Sequence, residues 1–159
     1  MSFPWSLAEN LKILKCYQGA ADSVTCDVVS LKNIHKGWFV IVHSGSADTD
    51  LVLSLYEATD VAAGTNAAVT TACPIWADTD SGTTSDVIAA TTAAYSYTID
   101  TTLVPNQLVI MEVDPAILSD GYDCVYLADS GGNASNVCTI LFVGAPRYTG
   151  ATLAAAITD

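Results

Sequence analysis

Gly37-Trp38-Phe39-Val40-Ile41-Val42 decides the reading of this chain. Five consecutive apolar side chains, two aromatic and three rich in β preference, follow a glycine and stop at a Ser/Gly/Asp-rich break from Ser44 to Asp50. A run of this length is too short for a buried helix and suits a buried strand. The same grammar recurs outward on both sides. Val24, Cys26 and Val28 alternate, as do Leu51, Leu53 and Leu55, and Tyr95, Tyr97 and Ile99. Leu108 and Ile110 alternate in opposite phase to Val109, Met111 and Val113. Tyr122, Cys124 and Tyr126 alternate against Val125 and Leu127, Val137–Val143 closes the series, and Ala68–Ile75 is a weaker member. Turn-rich breaks separate them at Asp60–Asn66, Asp78–Asp86, Pro105-Asn106, Ser119–Gly121 and Asp129–Asn136. About eight short strands at this spacing predict an all-β fold, a single antiparallel β-sandwich or jelly-roll-like domain.

Residues 1–20 stand apart, residues 21–148 form the expected sandwich, and residues 149–159 an Ala-rich C-terminal tail. Phe3-Pro4-Trp5 opens the chain, and Ser6-Leu7-Ala8-Glu9 matches a helix capping box. Leu7, Leu11 and Leu14 fall at helical spacing, so a short amphipathic helix is one reading. An extended arm is the other, because Ile13 and the stretch up to Tyr17 also suit a strand. Asp114-Pro115-Ala116-Ile117-Leu118 predicts a helical insert, with Asp as cap, Pro at the first position and Gly121 ending the turn.

Charge is distributed unevenly. The first 36 residues hold all four lysines against Glu9, Asp22 and Asp27, a net of +1; the rest holds Arg147 against fourteen acids, a net of −13. Such a body repels nucleic acid and anionic membrane. No stretch approaches the ~18 apolar residues of a spanning helix, and the first 30 residues lack the order of a signal peptide. Synthesis in a reducing cytoplasm is expected. The five cysteines, an odd number with no C-x-x-C pair, suit that compartment, and Cys26, Cys124 and Cys138 sit in strand patterns as small core side chains.

Motifs for chemistry are weak. Asp78-Thr79-Asp80-Ser81-Gly82 with Asp86 lacks the third spaced acid and closing Glu of a calcium loop, so a solvated loop is the better reading. Gly131-Gly132-Asn133 lacks the lysine and spacing of a phosphate loop and reads as a hairpin turn. No G-x-S-x-G elbow exists, and nothing in the sequence ties His35 or His43 to a cysteine. The chain is read as a non-enzyme without cofactor or metal.

The order of several short elements resembles small structural proteins of tailed bacteriophages encoded beside the major capsid protein. The elements are Leu7-Ala8-Glu9-Asn10-Leu11-Lys12, Ser30-Leu31-Lys32-Asn33, Pro74-Ile75-Trp76-Ala77, Asp114-Pro115, Gly121-Tyr122-Asp123-Cys124-Val125, Ser135-Asn136, Arg147-Tyr148 and Ala156-Ile157-Thr158-Asp159. The resemblance runs nearly end to end and rests on order; Ala62–Ala94 matches by spacing more than by residue. Phe3-Pro4-Trp5 and the five cysteines depart from it. It implies a virion component on the capsid surface, a decoration or cement protein whose partners are the major capsid protein and sister copies of itself. The expected contact residues are Phe3, Trp5, Leu7 and Leu11 for apolar area, Lys12, Lys15, Lys32 and Lys36 for acidic patches, and Arg147 with Tyr148. The alternative is a host-surface module that binds glycans through aromatic and acidic loop residues, with Trp76 as its loop-adjacent tryptophan.

Overall fold

The computed structural model describes residues 7–45, 47–82, 86–102 and 106–147. Phe3, Trp5, Tyr148 and the tail 149–159 lie outside the described residues.

Eleven strands form among the described residues, all paired antiparallel, in two sheets. β1 is Lys12–Ala20, β2 Val29–Ser30, β3 Ile34–Ser44, β4 Leu51–Ala58, β5 Asn66–Ala68 and β6 Ile75–Asp78. β7 is Ala89–Ala90, β8 Ser96–Ile99, β9 Gln107–Val113, β10 Cys124–Asp129 and β11 Val137–Pro146. The six-stranded sheet runs β1-β11-β3-β9-β6-β7; the five-stranded sheet runs β2-β10-β4-β5, with β8 also on β4. The arrangement is sandwich-like, and the strand count exceeds the expected eight for identifiable reasons. Residues 12–20 join the sheet, the weak 68–75 segment divides into β5 and β6, and the two-residue β7 completes one edge.

The first segment needs correcting. Helix α1 is a single turn, Leu7–Asn10, and residues 12–20 take the extended alternative, as a strand of the sheet and not a separate arm. They pair with β11 from Lys12 opposite Gly144 to Ala20 opposite Val137, so the expected boundary at residue 20 falls inside the sheet. The physical reason is packing. A four-residue helical turn has little cooperativity, whereas β1 gains a full ladder and buries Cys16. A bulge between Lys15 and Tyr17 shifts the alternation within it.

Core register follows from the quoted stretch. Phe39 and Ile41 point inward beside Phe142 and Ile140 of β11 and beside Met111 and Val109 of β9. The Phe39 and Phe142 rings meet edge to face at 5.1 Å, a pairing worth about 0.5–1.5 kcal/mol beyond burial. Leu51, Leu53 and Leu55 of β4, with Val125 and Leu127 of β10, fill the opposite layer. Asp114 does cap the insert, which is a 3₁₀ turn: its carboxylate accepts from the Ala116 amide at 2.9 Å. At the β10–β11 connection Gly131 and Gly132 hold φ of 108° and 126°, which only glycine tolerates well.

Candidate functional site

The cations expected at an interface are spread through the sequence, and register gathers most of them. Lys12 starts β1 opposite Gly144. Lys36, near the start of β3, lies opposite Ala145. Arg147 follows β11; its backbone amide donates to Asn33 O at 2.9 Å and its Nε to Ile34 O at 3.0 Å. Lys32 adjoins Asn33 in the β2–β3 link. Four of the chain's five cations therefore sit at one end of the six-stranded sheet, and Lys15 is three residues along β1, opposite Leu141. α1 enters at this end and the described chain leaves from it.

The end is not strongly positive. Lys32 Nζ lies 3.0 Å from Asp123 Oδ2, and Lys36 Nζ lies 2.7 Å from Glu112 Oε1. These hydrogen bonds raise the pKa of each lysine, with the partner's charge adding to the rise and Asp114 contributing at Lys36. Each of these two lysines, assigned to acidic patches of a partner, thus also has an acid beside it within the chain. Lys12 is nearly buried, and desolvation lowers its pKa. Lys15 is exposed and reaches Gln18 Oε1 at 3.4 Å. Leu7 is exposed and Leu11 half-buried.

A second feature escaped the sequence reading. The outward side chains of the six-stranded sheet are mostly apolar. Ile13, Val143, Trp38 and Glu112 form one cross-strand row; Lys15, Leu141, Val40, Ile110 and Trp76 form the next; a third, Gln18, Thr139, Val42, Leu108 and Asp78, is polar at both ends. Trp76, expected near a loop, stands on β6 opposite Ile110. With Trp38, Val40, Ile110, Glu112 and Val143 it lines an open cleft of about 380 Å³. Glu112 is committed on both oxygens, Oε1 to Lys36 and Oε2 to the Trp38 indole N–H at 3.0 Å. A signal was present: both phases of Trp38–Val42 are apolar, as are both phases of Leu108–Val113 apart from Glu112, so each strand had two faces to cover.

Chemistry finds little support. Cys138 lies directly opposite His43 in the β3–β11 ladder, and both are buried. Burial pushes the Cys138 thiol up to about 12, with nearby Asp129 adding to the rise. A protonated, enclosed thiol is not a nucleophile. Cys16 and Cys124 are likewise pushed up to about 12 and Cys73 to about 11, chiefly by burial. Among the described residues no cluster of three or more His, Cys, Asp or Glu is placed to hold a metal ion. Asp78 is itself buried and accepts from the Asp80 amide at 3.1 Å, closing a local turn. Among the described residues no helix is long and apolar enough to cross a membrane.

No protein-family model matches this chain, and no curated protein matches it. A solved structure titled SPBc2 prophage-derived protein YomS is similar at 14% identity, covering 85% of this chain and 92% of that one with a TM-score of 0.47. At that level the functional reading rests on this chain's own residues.

Proposed function

We propose that the chain is a virion structural protein that binds the assembled phage capsid as a decoration or cement protein. The observation that carries the reading is the collection of Lys12, Lys32, Lys36 and Arg147 at one end of a chain that is otherwise strongly acidic in composition. The end-to-end order of motifs resembling capsid-associated proteins points the same way. A ligand that binds only the assembled shell stabilises that shell by mass action. Leu7 and Leu11 supply apolar area at this end, and Phe3 and Trp5, which precede them in the sequence, are assigned to the same contact. Lys32 and Arg147, both exposed, orient the docked body, and screening by salt weakens that part.

Co-sedimentation with empty capsids of the encoding phage tests this. Deleting residues 1–6 leaves β1 in place, and Lys32→Glu with Arg147→Glu reverses two exposed charges. Each change is expected to weaken binding about tenfold or more at low salt. Undiminished binding by both variants refutes the assigned docking end, and the chain's absence from purified particles by mass spectrometry refutes the virion reading itself.

The glycan-binding alternative has one observation in its favour, the Trp38–Trp76 cleft. Its only charged lining residue is Glu112, already bonded on both oxygens, and the other lining residues are apolar. Sugar hydroxyls need more polar partners than this, so the cleft favours an apolar occupant. A glycan array discriminates the readings.

A further inference from the structure

We propose that the outer face of the six-stranded sheet is a self-association surface on which a second copy of this chain packs, sheet against sheet. In an antiparallel sandwich one face of each sheet meets the core and the other normally meets water with polar side chains. Here Ile13, Trp38, Val40, Ile110, Leu141 and Val143 stand where polar residues are the rule. Contiguous apolar surface of this extent on a soluble body marks an interaction site.

Charge selects the partner. The chain carries −12 overall, so two copies repel through most orientations. Of its seventeen acids, only Asp78 and Glu112 fall within the six strands of this sheet. Asp78 is buried, and Glu112 is neutralised by Lys36. This is the face through which two such bodies approach at least electrostatic cost. The acids of the other sheet are then set back by the thickness of the sandwich, while Asp80 and Asp114, which follow β6 and β9, lie at the ends of the face.

Area agrees. Four strands at ~4.8 Å spacing over seven residues at ~3.4 Å each, with the four-residue β6 beside them, give a patch of about 520 Å² per copy, or roughly 1,040 Å² for a pair, at the ~1,000 Å² that separates specific interfaces from incidental ones. The patch holds two tryptophans, Trp38 on its central strand and Trp76 towards the β6 edge, and tryptophan is the side chain most enriched at binding hot spots. The bond from Trp38 to Glu112 holds its ring in place before any partner arrives. A two-fold arrangement places Trp38 and Trp76 of each copy against the aliphatic rows of the other, and it closes the assembly at two. This inference is independent of the capsid reading, because the docking end and the outer face use different exposed residues.

Sedimentation of the full chain from about 1 to 100 μM tests it, a range chosen to bracket a micromolar dissociation constant. The expected mass is twice the 16.6 kDa of one chain. Val40→Lys, at the centre of the patch, is expected to raise the dissociation constant about 100-fold or more by burying an unpaired charge. Thr98→Lys adds the same charge on an exposed position of the other sheet and is expected to leave the mass unchanged. Circular dichroism confirms that each variant is folded; if Val40→Lys is not, Val40→Ser with Leu141→Ser is the milder pair, expected to weaken the dimer about tenfold. A single-chain mass at 100 μM overturns the proposal, whether the face is then covered by this chain's terminal segments or by capsid protein. A dimer indifferent to the folded face variants overturns it equally. Lys32→Glu with Arg147→Glu leaves the dimer intact, so loss of capsid binding and loss of self-association are read separately.

Discussion

Replacing Asn136 by alanine is expected to cost about 2–3 kcal/mol of stability. Asn136 is fully buried, and its side-chain amide forms a two-bond clasp with Ala47, just past the end of the neighbouring strand β3. Its Oδ1 accepts from the Ala47 amide at 2.9 Å, and its Nδ2 donates to Ala47 O at 2.9 Å. Alanine removes both bonds, each worth about 1 kcal/mol net, and leaves a small void besides. For a chain of this size that lowers Tm by about 5–10 °C. Chemical denaturation monitored by circular dichroism reads the free energy, and hydrogen exchange at Ala47 reads the clasp locally. Asn136→Asp is the sharper variant. It keeps the acceptor for the Ala47 amide but sets a carboxylate oxygen against Ala47 O, so at pH 7 it is expected to destabilise at least as much as alanine. A cost under about 0.5 kcal/mol for Asn136→Ala, or unchanged exchange at Ala47, refutes the reasoning. The outcome also bears on the Ser135-Asn136 motif, which the clasp explains as a structural requirement.

Gly132→Ala is expected to destabilise by about 2 kcal/mol or more, because φ is 126° there and an added Cβ would stand 1.7 Å from Ala21 O; thermal unfolding measures it. Phe142→Ala, which removes a fully buried ring and its contact with Phe39, is expected to cost about 3–5 kcal/mol in the same assay. The buried thiols make stability fall at alkaline pH. Cys16, Cys124 and Cys138 at about 12 and Cys73 at about 11 stay protonated in the folded chain while the unfolded chain ionises near 9.0, so the folded state holds more protons and loses stability as pH rises from about 9 towards 12. Denaturant midpoints across that range check the sign. At pH 8 a thiol reagent is expected to label the native chain slowly and all five cysteines once it is unfolded.

The strand grammar was legible in the sequence wherever burial imposed a period. Gly37–Val42, Leu51–Leu55, Leu108–Val113 and Val137–Val143 all read as strands because each had to cover a core face with every second side chain. The Asp114-Pro115 turn was legible because its cap is a local hydrogen bond. Residues 12–20 were ambiguous, since Leu7, Leu11 and Leu14 fall at helical spacing while Ile13 and the stretch up to Tyr17 suit a strand; the ladder offered by β11, more than a hundred residues away, decided them.

Residue type and local order alone determined an all-β body, strong acidity and the segregation of lysines to the first 36 residues. Only the tertiary structure decided which residues meet. Antiparallel register carried Arg147 to the side of Asn33 and Lys36, set Glu112 between Lys36 and Trp38, and placed Cys138 against His43. It also separated the two phases of the apolar strands, one into the core and one onto an outer face. Period two says that a strand has two faces; which of them is covered depends on what lies across the sheet, and no local pattern encodes that.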